Sequence, residues 1–223
     1  MNVADFIAEF RATVCDVELP HFWSSELIVR YLNEAVQEAC ERAKLIEDRT
    51  TPVVCSIALQ AGESTYALHP SILEIKRATI GGRRLDETSV EAMDADCPGW
   101  ESLQGTPRAY IFEQASGGSP ARIRLVRTPA DAETLSLTVY RGALKPLSAD
   151  LDTGKPEIPE RFHERLMDWV LHRAYLKQDA DTFEPNKAAV SLGLFVQSFG
   201  ARPDANVQRK QRDRRPPLVR SNW

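Results

Sequence analysis

The sequence predicts an α+β protein: a helical bundle made by N- and C-terminal helices, an inserted antiparallel β-sheet or sandwich module, and a basic extended C-terminal tail. Three observations predict it. Apolar residues recur at helical spacing near both ends of the chain. Between them the period drops to two, with glycine and proline punctuation. The last stretch, from Arg202 to Trp223, gathers positive charge and few apolar residues.

The first helix is expected over residues 3–15, where Val3, Phe6, Ile7, Phe10 and Val14 share one face and Asn2 can cap. Asp16 to Trp23 breaks it, with Pro20 blocking continuation. Ser24 or Ser25 then caps a second helix over 26–45, with Leu27, Ile28, Tyr31, Leu32, Ala35, Ala39 and Cys40 as its apolar stripe. Its other face carries Arg30, Asn33, Glu34, Gln37, Glu38, Glu41 and Arg42.

Strands are expected over 53–59, 65–68, 73–80, 109–113, 122–126 and 134–140. Arg122 to Arg127 and Leu135 to Val139 alternate polar with apolar, which fits an antiparallel sheet with one wet face. Gly81-Gly82 and Gly117-Gly118 read as hairpin turns, and neither has the Lys-Ser/Thr of a phosphate loop. Residues 86–96 form a short helix or an acidic loop. Helix returns after Pro159, over 160–177, and again from Pro185 through Phe199, where Ala189, Leu192, Phe195, Val196 and Phe199 line one side and Gly200 stops it. The division that follows is 1–50 for the first bundle helices, 51–150 for the β-module, 151–200 for the remaining bundle helices and 201–223 for the tail.

Reactive chemistry finds little footing. Cys15, Cys40, Cys55 and Cys97 contain no CxxC and no zinc-like spacing, so they read as small buried hydrophobes or idle thiols. Asp168 and His172 stand four apart on one helix and can touch, but no nucleophile joins them, and a surface pair or helix-end histidine is the simpler reading. Asp179 and Asp181 are two carboxylates without further ligands, and fit a helix end and turn better than a metal. No catalytic residue, metal or cofactor is expected. No apolar run reaches the roughly 18 residues a membrane span needs, and Met1 to Phe10 lacks the pattern of a signal peptide.

The net charge of −4 conceals an asymmetry. Arg202, Arg209, Lys210, Arg212, Arg214, Arg215 and Arg220 face only Asp204 and Asp213, so the tail is +5 and residues 1–201 are −9. Such an arm can neutralise an acidic partner, with Trp223 free to stack or fill a pocket; the plain alternative is a solvated end.

A set of short motifs in fixed order carries a resemblance. Ile28 to Ala35 with Glu38 and Arg42 comes first; Pro98-Gly99-Trp100 and Gly105 to Tyr110 follow. Ile158-Pro159, His163, Leu166, Trp169, Arg173-Ala174-Tyr175, Asp179-Ala180-Asp181, Phe195 and Phe199-Gly200 complete it. Together they resemble the head-to-tail adaptor (connector, neck) proteins of tailed bacteriophages, over roughly residues 20–202. The resemblance implies a structural virion protein made in the host cytoplasm. It implies a homo-oligomeric ring, usually of twelve copies, that binds the portal on one side and a tail or head-closure protein on the other. DNA would pass through its lumen without sequence-specific binding, and no membrane is involved. In such adaptors a C-terminal segment docks on the portal, a role that here falls to Arg202–Trp223. Two rival readings stay open: a DNA-binding regulator that uses the basic tail, and a small hydrolase or carbohydrate-binding module on the β-region, for which no residue cluster stands out.

Overall fold

The computed structural model describes residues 1–114, 118–151, 153–179 and 181–204. Within them the chain runs α1 (Val3–Val14), α2 (Ser25–Ala43), β1 (Ile46–Asp48), α3 (Pro52–Cys55), β2 (Ser56–Ala58), β3 (Thr65–Ala67), β4 (Ile72–Ile80) and β5 (Arg83–Thr88). It continues through α4 (Val90–Asp96), β6 (Ala109–Glu113), β7 (Arg122–Val126), β8 (Thr134–Arg141), α5 (Met167–Tyr175) and α6 (Pro185–Phe199). The class is α+β. Two compact units emerge: Met1–Ile46 with Arg141–Arg202, and a second built on Glu47–Tyr140.

The first unit is helical. Asn2 and Asp5 form a reciprocal cap on α1: Asp5 N donates to Asn2 Oδ1 at 2.8 Å and Asn2 N to Asp5 Oδ2 at 3.1 Å. Val3, Phe6 and Phe10 are buried along it. Ser24 is the cap of α2, accepting from Leu27 N at 3.3 Å. Ile28, Val29, Leu32, Ala35, Val36 and Ala39 go into the core, and the left-handed Lys44 ends the helix. That buried face is wider than the sequence stripe, because α2 packs on α1, α5 and α6 together.

The continuous helix expected over 160–177 is not what forms. Two 3-10 turns, Glu160–Phe162 and Glu164–Leu166, precede α5. Phe162 N, His163 N and Leu166 N each reach back three residues rather than four. The buried His163 ring is held there, Nε2 2.9 Å from Ile158 O and Nδ1 3.3 Å from Met1 O. In α6 the buried row is Ala188, Ser191, Phe195 and Phe199, so Ala189 faces out, contrary to the sequence reading. The reason is aromatic: Phe195 lies 5.1 Å from Trp169 and 4.7 Å from Phe199, and Phe199 lies 5.9 Å from Phe162. These contacts fix the rotation of the helix.

The second unit is a sheet in the order β1-β8-β4-β5-β6-β7-β3, with β2 also paired to β8. It is mixed rather than antiparallel, since β5 and β6 run parallel with Asp86 opposite Ala109 and Thr88 opposite Ile111. A parallel pair needs a long crossover, and residues 89–108 supply it through α4 and a 3-10 turn at Trp100–Ser102. Arg83–Thr88 is the strand that makes this possible, so residues 86–88, expected to open a short helix or acidic loop, are strand instead. The apolar run 53–59 also divides: Pro52 opens the single-turn α3, and only Ser56–Ala58 is strand. The buried Asp48 sets this up by accepting Thr50 N at 2.9 Å and Thr51 N at 3.1 Å through Oδ1. Gly81 and Gly82, both at positive φ, turn β4 into β5.

Trp100, 2% exposed, packs with Ile111 and Val126 beneath Val90 and Met93 of α4. Its Nε1 donates to Asp94 at 2.9 Å, and Arg124 lies 4.6 Å from its ring while pairing with Glu101. The Pro98-Gly99-Trp100 motif is therefore the plug that fixes the crossover to the sheet.

Candidate interaction surface

The reactive candidates are used up structurally. Burial, with the Glu157 carboxylate adding to it, pushes the Cys40 thiol up to about 12. His172 does not engage Asp168; its Nδ1 lies 2.9 Å from Ala188 O. Asp179 pairs with Lys177 at 3.7 Å, and its carbonyl takes Thr182 N and Phe183 N, as a helix-end turn requires. Among the described residues no three His, Cys, Asp or Glu side chains converge as a metal site, and no helix is long and apolar enough to cross a membrane.

The motif residues of α2, α5 and α6 instead build one seam. Arg42 Nη2 donates to Glu38 Oε2 at 2.9 Å and Nη1 to Gly200 O at 3.3 Å, while its guanidinium covers Trp169 and Phe195. One turn away, Arg173 Nε stands 2.9 Å from Glu34 Oε2, an ion pair that is not aligned as a hydrogen bond, and the same guanidinium lies 5.4 Å from Tyr31. Asn33 mimics a peptide group: it donates to Leu147 O at 2.9 Å and accepts from Leu147 N at 2.8 Å. Rotating or sliding α2 would break the Asn33 bonds to Leu147 and lift Arg42 off Trp169 and Phe195.

The loop between α1 and α2 is held as firmly as the seam. Asp16, 3% exposed, accepts Phe22 N at 2.9 Å and Arg11 Nη1 at 3.0 Å. Trp23 Nε1 donates to Ala174 O at 3.3 Å, and Lys177 Nζ to Phe22 O at 2.7 Å. Yet this tied-down backbone turns Val17, Leu19 and Phe22 outward, at 69%, 82% and 49% exposed. A second apolar group, Phe183, Val190 and Leu194, is exposed at and along α6. Lone exposed apolar residues are ordinary, but rigidly presented groups are what docking surfaces are made of. In sequence, 16–23 reads as a helix break; its signal is four large apolar residues, Val17, Leu19, Phe22 and Trp23, in a proline-containing loop, where solvated side chains are the norm.

Of the tail's expected docking residues, Arg202 is the one among the described residues. Its Nη2 lies 3.5 Å from Glu38 Oε1 and 3.7 Å from Glu41 Oε2 on α2. Arg209, Lys210, Arg212, Arg214, Arg215, Arg220 and Trp223 lie outside the described residues.

A protein-family model described as SU10 adaptor protein matches residues 1–221. No curated protein matches.

Proposed function

This chain belongs to the SU10 adaptor protein family, and on that premise we propose that it is the head-to-tail adaptor of a tailed phage: a structural, non-enzymatic subunit that joins the capsid portal to the tail. The observation that carries the reading is the extent of the family match. In this reading copies assemble as a ring, twelve by family habit, below the portal. The ring binds a tail or head-closure protein on its far side, and its lumen passes the genome. The bundle helices are the ring's frame, with the β-module inserted between them. The charge distribution supports the lumen, because a body of −9 repels phosphates and lets DNA slide. The +5 tail supports a docking arm, weak alone and strengthened by repetition around a ring.

The test is electron cryo-microscopy of the protein mixed with its cognate portal. A closed ring seated on the portal is expected; the absence of any ring, alone or on portals, defeats the reading. The rival reading, a DNA-binding regulator using the tail, predicts a steep salt dependence of duplex binding by the isolated chain.

A further inference from the structure

We infer that the α1–α2 loop of one subunit docks on the outer face of α6 of a second copy of this chain. The inference rests on the ring reading and names the surfaces that make the ring. Leu19, the most exposed large apolar side chain described, stands on the loop with Val17 and Phe22. The loop is pinned at Phe22, whose N–H donates to Asp16 and whose carbonyl accepts from Lys177, which lowers the ordering entropy that docking costs.

The receiving face is Val190 and Leu194, 65% and 46% exposed, one turn apart on α6. Gly193 lies between them in sequence, and a Cβ added there would meet nothing within 4 Å. That leaves a shallow notch beside two apolar ridges, which suits an incoming branched side chain.

Charge selects the partner. Residues 12–29 contain no Lys or Arg, and Glu18 is exposed beside Leu19. Residues 185–201 contain no Asp or Glu, and Lys187 is their one charge. Arg11 and Lys177 also border the loop but are engaged by Asp16 and by Phe22 O, and Glu184 borders Lys187; Glu18 beside Leu19 and Lys187 one turn before Val190 are the opposite charges at the edges of the two apolar patches. Lys187 also sits in the first turn of α6, whose neighbouring carboxylate is that of Glu184 at the N-cap. A cation there opposes the helix dipole, and its own pairing with Glu184, at 3.3 Å, is half-exposed and weak. A carboxylate arriving from outside would improve both terms. Two different patches on each subunit, one given and one received, make a heterologous contact, the type that closes rings.

The experiment uses the full chain, with native mass spectrometry and sedimentation over a concentration series, with and without cognate portal. Leu19→Asp and Val190→Asp alter exposed side chains and should leave the thermal melt in place while weakening self-association about tenfold or more. Glu18→Lys and Lys187→Glu should each weaken it, and the double variant, which restores opposite charges across every interface, should recover it. Wild-type rings that form equally well with Leu19→Asp and Val190→Asp, or a double charge variant no better than either single one, would overturn this assignment and leave the ring reading standing. A wild-type chain that forms no oligomer alone or on portals removes the ring reading, and this assignment with it.

Discussion

The guanidinium of Arg42 lies 5.3 Å above the indole of Trp169. Its side chain is 5% exposed and also bonded to Glu38, so one residue ties α2 to the aromatic stack of α5 and α6. Lysine would keep the charge but lose the planar stacking and the two-pronged contact to Glu38. Arg42→Lys should cost about 1–2 kcal/mol, read as a lower urea midpoint at unchanged slope. A variant as stable as wild type would mean that the stack contributes nothing.

Trp100 should be the most sensitive position of the β-unit. Trp100→Ala removes the plug over Ile111 and Val126 and should cost about 3–5 kcal/mol. Trp100→Phe keeps most of the apolar contact and loses the bond to Asp94, a cost nearer about 1 kcal/mol. Equal losses for the two in chemical denaturation would contradict the division between packing and hydrogen bonding.

Asp168 carries a pH signature. Burial raises its carboxyl above the usual range, with Arg165 only partly offsetting this. The folded state therefore favours the protonated acid, and this group's contribution declines as pH rises through its folded pKa. Asp168→Asn should raise the melting temperature at pH 7 and give no such gain at pH 3. A gain that is the same at both values would point to something other than ionisation.

Thiol chemistry should separate two cysteines. Cys15 is exposed at the end of α1, whereas Cys40 is buried with its thiol held near 12. At pH 8 iodoacetamide should label Cys15 in the native protein and reach Cys40 only in denaturant. Peptide mass mapping reads this directly, and rapid native labelling of Cys40 would show that the α2 face opens.

Truncation after Arg202 keeps the contacts to Glu38 and Glu41 and removes the remaining cations. The circular dichroism spectrum and melting temperature should stay put while attachment to portals weakens. Portals that capture the truncated chain as well as the full one would retire the tail as the docking arm.

The helical ends were readable because their signals are local. Asn2 and Ser24 are caps by residue type, and Pro185 and Gly200 bracket α6. Residues 122–126 alternate polar with apolar, 109–113 are a short apolar run between turn signals, and both form strands with those bounds. What failed depends on partners distant in sequence. Nothing local distinguishes Arg83–Thr88 from a turn; it is a strand because β4 and β6 flank it. The rotation of α6 is decided by Trp169, and the 3-10 start before α5 by carbonyls at Met1 and Ile158. The interaction surface was the least legible part, since an apolar residue in a loop looks the same in sequence whether it folds inward, like Trp23, or outward, like Leu19.

The chain leaves its first helices along β1 and comes back along β8, and those strands are hydrogen-bonded neighbours. The strands of departure and return thus lie side by side, about 4.8 Å apart, one strand spacing. A segment with such close ends behaves as a cassette. Descent can lengthen it, trim it or trade it for another while the helices inherit an unchanged pair of splice points, so rapid divergence should concentrate between residues 47 and 140 without disturbing the frame that carries them.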